Sequence, residues 1–285
     1  MLSWPLAWVD GPVPARLPTA AHRGPLAEAE SDRLLLRVPP IGRFLVRPDG
    51  PVRVQRGYPV SDADVACFVG GSVGAAALLL RGMLTMRAAA VSVAGAGVLI
   101  CGPSAAGKSV LAGALAARGH PVLADRIGLV TGIPPASPGG VPPPGAGVGL
   151  AVVPVDPQVQ LWPDAVELLG LPPGAGRVVR PVLARRAFRL GPPPGPAPLR
   201  LVLGLSLATR RSLELTEVGG GTAAGRLAAL VGQEWHERLV GPLGRAADRF
   251  RWLAALAGVR LVLVAGHRGG IPPAELAARV EGVLG

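Results

Sequence analysis

The chain has 285 residues, 49% of them hydrophobic, and a formal charge of +11. That length buries a sizeable core, and the apolar share excludes disorder of the whole chain, while 41 glycines and 32 prolines predict long irregular connections. The positive charge looks dispersed, as single arginines or pairs such as Arg185/Arg186 and Arg210/Arg211. With one tyrosine and four phenylalanines it lacks the aromatic interleaving of a base-stacking surface, so no nucleic-acid partner is expected.

Residues 1–32 are rich in proline and alanine without periodicity and read as an irregular leader. They contain no basic segment followed by a long apolar core, so no signal peptide is expected. Residues 33–80 read as a small β-rich region plus a helix. Segments 34–38, 42–46 and 52–54 are strand-like, separated by Pro39-Pro40 and by the hairpin signal Asp49-Gly50. Ser61 with Asp62 and Asp64 opens a helical run that continues, interrupted, to Leu80. Residues 81–285 form a larger second domain. There 88–93 and 98–101 are strands joined at Gly95/Gly97, 108–118 is a helix closed by Gly119, and 121–125 is a short strand ending in a carboxylate. Residues 134–147 are a proline/glycine insertion expected to be a mobile loop, and 161–165 start a helix reaching about Leu169. Segments 199–208 and 212–218 read as strands paired with each other. The end is helical over 222–238, 242–257 and 272–284, with a strand at 259–264 and with Pro242 and Pro273 as helix-start residues. No internal repeat is evident.

Between 98–101 and the helix at 108 lies Gly102-Pro103-Ser104-Ala105-Ala106-Gly107-Lys108-Ser109, with glycines five apart and Lys-Ser closing the segment. Such glycines let the chain turn so that successive N–H groups face inward at a helix N-terminus. Lysine then reaches the β- and γ-phosphates of a nucleotide, and the serine hydroxyl reaches Mg²⁺. Lys108 is the only lysine in a chain that otherwise uses arginine, so a compact ammonium stands where a phosphate needs one. Residues 102–110, Val110 included, are therefore the expected nucleotide-binding segment, with ATP and Mg²⁺ as ligands. Asp125, sixteen residues beyond Ser109 at a strand end, is the candidate to hold Mg²⁺ together with Ser109, or to accept a proton from an incoming hydroxyl.

Cys67 and Cys101 are too few for a disulfide framework and lack metal-ligand spacing, so free thiols and a cytoplasmic protein are expected. The uncharged stretches 88–107 and 127–158 are broken by glycine and proline, so no membrane span is expected. His120, just past the helix end, reads as structural, and His22, His236 and His267 receive no role.

The run 102–130, with Ala116-Ala-Arg-Gly-His-Pro-Val-Leu-Ala-Asp125 after the loop, resembles the core of HPr serine kinase/phosphorylase and its relatives. Residues 81–91, 42–46 and 161–165 are similar to other parts of that group. The resemblance implies an α/β fold, namely a P-loop mixed sheet of the HPr kinase/phosphoenolpyruvate carboxykinase type with a small N-terminal β-rich region. It makes 81–285 a P-loop kinase-like domain that transfers phosphate from ATP to a serine-like hydroxyl of a peptide or protein. Self-association is left open. Two departures fall at the chemistry, since Arg87 stands where the group has a histidine and Arg126 where it has a second aspartate. An arginine is no base at neutral pH, but it can stabilise charge on a transferring phosphoryl group, so Asp125, Arg87 and Arg126 are the catalytic candidates. A nucleotide-binding accessory protein without transfer activity is the alternative.

Overall fold

The computed structural model describes residues 6–132, 149–180, 182–191, 194–208, 212–218, 223–267 and 270–285. The insertion at 134–147, expected to be mobile, lies outside the described residues.

The first unit is a six-stranded sheet of β1 (Trp8–Asp10), β2 (His22–Arg23), β3 (Ala27–Glu30), β4 (Arg33–Val38), β5 (Gly42–Val46) and β6 (Val52–Arg56). Its order is β1-β6-β5-β4-β3-β2, antiparallel except that β1 runs parallel to β6. Strand alternation sends Leu34, Leu36, Phe44 and Val46 to one buried face and Leu35 and Leu45 to the other. The second face is covered by Val13 and Leu17. Residues 6–32 are therefore not an irregular leader: they supply three strands and the cover of a sheet face. The periodicity is absent because the connecting loop is held by two isolated apolar side chains, Val13 and Leu17, together with buried carboxylates. Glu28 accepts from Leu17 N–H (2.7 Å) and Arg37 (2.6 Å), and Glu30 accepts from Thr19 N–H (2.9 Å).

Two helices lead onward. In α1 (Asp62–Val69) the Ser61 and Asp64 side chains reciprocally bond each other's backbone N–H, a capping box that fixes the start read from the sequence. α2 (Ser72–Leu80) has no polar face, because Val73, Ala76 and Leu80 pack on the first sheet while Ala75 and Leu78 enter the core of the second unit.

The second unit holds β7 (Thr85–Met86), β8 (Ala89–Val93), β9 (Ala96–Cys101), α3 (Lys108–Ala117), β10 (Val122–Asp125), β11 (Gly128–Thr131), β12 (Ala151–Val153), β13 (Val159–Leu161), α4 (Pro163–Leu168), β14 (Arg177–Arg180), β15 (Leu183–Phe188), β16 (Ala197–Leu205), β17 (Glu214–Glu217), α5 (Ala223–Leu230), α6 (Ala246–Leu256), β18 (Arg260–Ala265) and α7 (Pro273–Leu284). Nine strands make a mixed sheet in which β9, β16 and β18 are parallel neighbours, β8 runs antiparallel to β9, and β10 runs antiparallel to β8. Helices α3 and α7 cover one face and α5 and α6 the other. Strands β13, β15 and β14 form a separate three-stranded sheet. The architecture is thus mixed α/β. Among the described residues no single helix is long and apolar enough to cross a membrane.

Three expectations change. β17 pairs with β18 and not with β16, because the parallel match of β16 to β18 has inserted β18 between them. The helix expected over 222–238 stops at Leu230, where Gly232 (φ +83°) and His236 (φ +55°) take left-handed conformations. The following helix starts at Ala246 rather than at Pro242.

Candidate phosphate-binding site

Val98, Leu99, Ile100 and Cys101 are all buried, as suits a strand covered on both faces. The strand ends where Gly102 takes φ +140° against β16, and a Cβ there would stand 2.6 Å from Leu205 O. Only glycine fits that approach. Ala105 (φ +63°) and Gly107 (φ +91°) complete the turn and deliver the chain into α3.

Within the loop, Lys108 Nζ donates to Gly102 O (2.8 Å) and Pro103 O (2.7 Å). Burial lowers its pKa, and Asp125 pulls it back up. Ser109 Oγ donates to Asp125 Oδ1 (2.9 Å), and Gln160 N–H donates to Asp125 Oδ2 (2.8 Å). Asp125 is 6% exposed, and burial raises its pKa while those two hydrogen bonds, Arg185 and Arg126 oppose the rise. The residues expected at 102–109 and 125 are thereby brought together. The Val110 side chain, by contrast, packs into the α3 core, leaving only its backbone for the loop.

The two arginines lie at the rim. Arg126, with φ +102°, directs its guanidinium onto Cys67 O in the last turn of α1 (3.0 Å). Exposed Arg87 donates a guanidinium N–H to Gly232 O, and its backbone N–H donates to Gln233 O (2.7 Å). His120 is structural as expected, bonding the Glu281 carboxylate (2.8 Å) instead of a free carbonyl.

Four residues at the site escaped sequence reasoning, Gln160 acting through its backbone N–H. Gln233 Oε1 accepts from Gly102 N–H (3.2 Å), His267 Nε2 donates to Ala106 O (2.8 Å), Gln160 touches Asp125, and Arg185 donates to Gln160 O (3.3 Å) while lying over the Trp162 ring at 5.9 Å. Only Gln160 had a nearby signal, the adjoining segment 161–165. A cavity of about 230 Å³ opens beside the loop between Cys101, Gly102, Leu205, Ser206, Gln233 and Leu263.

Oxygen donors from Ser109 and Asp125 are the hard ligands that suit Mg²⁺, and the ammonium and inward-turned backbone suit a polyphosphate. Among the described residues no three His, Cys, Asp or Glu side chains cluster, so a cation here would draw its remaining ligands from phosphate and water rather than from a protein cage.

No protein-family model matches the chain, and no curated protein matches it. Among solved structures it is similar to the HPr(Ser) kinase/phosphatase from Coxiella burnetii, at 15% identity over 70% of this chain and 93% of that one, with a TM-score of 0.25. A likeness that distant carries no argument about activity, and the functional reading rests on the residues themselves.

Proposed function

We propose that the chain is an ATP-dependent phosphotransferase that moves the γ-phosphate to a serine-like hydroxyl of a peptide or protein. One observation carries the reading: Ser109 and Asp125 meet at 2.9 Å directly behind a glycine loop whose single lysine is turned into it. In this reading Lys108 neutralises the phosphates, Ser109 and Asp125 hold Mg²⁺, and the cavity beside Gly102 gives room for the base. Bound Mg²⁺ supplies charge neutralisation at the phosphates. As the alternative role to holding the cation, Asp125 would accept the proton of the incoming hydroxyl, and Arg87 and Arg126 contribute positive charge.

A second reading, nucleotide binding without transfer, is favoured by the two guanidinium groups, each held by a backbone carbonyl. Calorimetry with MgATP tests what both readings share. Wild-type protein is expected to bind, and Lys108→Ala to bind at least about tenfold more weakly through loss of a charge-assisted contact. Folded wild type that ignores millimolar nucleotide would sink both readings. γ-Labelled ATP then separates them: label reaching serine-containing polypeptides in wild type but not in Lys108→Ala supports the transferase, and binding without any labelled acceptor supports the accessory protein.

A further inference from the structure

The charge that looks dispersed in composition is concentrated in sequence. Residues 168–213 contain eight arginines and no Asp or Glu, which is +8 of the chain's +11. Strand pairing gathers four of these arginines. In β15 and just past it, positions 183, 185, 187 and 189 share a face, and Arg177 stands opposite Ala187 and Arg180 opposite Leu183. Arg177, Arg180, Arg185 and Arg189 therefore line one face of the β13-β15-β14 sheet. Gln160 lies on it too, being paired with Ala187.

Only Arg180 of the four has an ion-pair partner among the described residues, Asp64 at 2.7 Å. Arg177 and Arg189 are exposed and form no ion pair among the described residues. At the inner end the face reaches the candidate site: Gln160 donates its N–H to Asp125, and its carbonyl receives Arg185. Gln160 itself is 5% exposed.

We infer that this face docks an acidic segment of the polypeptide that receives the phosphate, with carboxylates of the segment on the exposed guanidinium groups of Arg177 and Arg189. The inference rests on the phosphotransferase reading. A cationic face leading to a buried site favours an anionic partner in rate and register. A peptide fits better than single-stranded nucleic acid because both aromatic rings here are already stacked by arginine, Phe68 under Arg180 at 5.4 Å and Trp162 under Arg185.

Fluorescence anisotropy tests it with a labelled serine-centred peptide flanked by glutamates, its glutamine-flanked counterpart, a single-stranded oligodeoxynucleotide, and vesicles containing anionic lipid. The glutamate peptide is expected to bind wild type at least about tenfold more tightly than the glutamine peptide, with an advantage that shrinks as salt rises. The pair Arg177→Glu/Arg189→Glu should abolish the preference and Arg177→Gln/Arg189→Gln should weaken it, both with MgATP affinity unchanged. Equal binding of the two peptides, tighter binding of the oligonucleotide or vesicles, or a preference that survives both double variants would overturn the docking face. MgATP calorimetry on the same samples keeps the two ideas apart. Nucleotide binding without the acidic preference removes the face alone. Acidic-peptide binding without nucleotide binding removes the phosphotransferase reading, and with it the bound segment's assignment as acceptor.

Discussion

Asp125 is held in a place that disfavours its charge, since burial raises its pKa while Gln160 N–H and Ser109 partly restore it. Asparagine keeps the shape and the bonds: Oδ1 can accept from Gln160, and Nδ2 can donate to the Ser109 oxygen. Asp125→Asn is therefore expected to fold, to unfold at a higher temperature than wild type at neutral pH because a buried charge is gone, and to lower phosphoryl transfer at least about a hundredfold. Thermal unfolding and the labelled-ATP assay read the two effects separately, and near-normal transfer would reject the role. Two glycines give a sharper geometric test. Gly102 and Gly119 both have positive φ, but an added Cβ meets Leu205 O at 2.6 Å in the first and nothing within 4 Å in the second. Gly119→Ala should cost about 1 kcal/mol, the low end for left-handed backbone, and Gly102→Ala clearly more, compared by denaturant midpoints. Equal costs would mean that the approach to β16 does not constrain the loop.

Helix α7 is tied to the C-terminal end of α3 by one carboxylate. Glu281 accepts from Arg118 (2.7 Å) and from His120 (2.8 Å), and these bonds hold its pKa down at about 2, against an ordinary 4.5. A depressed carboxylate contributes stability that is present above its unfolded pKa and lost as pH falls through the folded one. Wild type should therefore exceed Glu281→Gln in melting temperature above about pH 4.5, and the two should converge as pH approaches about 2. A constant gap across that window would assign the contact to packing.

Elements of this kind set how much was legible in the sequence. The segment from 88 to 125 could be read closely because each step has a local cause: alternating strands, glycines at fixed offsets, one lysine, a carboxylate at a strand end. The hairpin of β8 and β9 turns through Ala94 and Gly95, both with positive φ, so of the Gly95/Gly97 signal only Gly95 lies in the turn and Gly97 is already in β9. What could not be read depends on distant partners. Insertion of β18 between β16 and β17, the strands before residue 33, and the contacts of Gln233 and His267 with the loop join residues from about 11 to more than 150 positions apart, and no local pattern records them. The gathering of arginines on one face needed both the acid-free run and the register of β14 on β15.

At the scale of the molecule, the two units meet around Arg126. Its guanidinium sits on Cys67 O, where the free carbonyls of the last turn of α1 favour a cation, and the space it occupies exists because residue 71 is glycine: a Cβ there would lie 2.4 Å from Arg126 Nη2. Its carbonyl receives the Trp235 indole N–H (2.9 Å) from the segment that also meets the phosphate loop through Gln233 and the start of α2 through His236, on Ser72 O (2.6 Å). Arg126 thus links α1, the end of β10 and the 232–236 segment. If that linkage is its main work, Arg126→Ala should speed amide hydrogen exchange in α1 and α2 at least severalfold, while the amides of β9 and α3 and the affinity for MgATP stay as in wild type. Transfer would then fall only as far as the looser junction misplaces the site. The opposite pattern, unchanged exchange in α1 and α2 with a kcat that drops more than KM for ATP rises, would place the guanidinium on the transferring phosphoryl group and make Arg126 a direct stabiliser of the transition state.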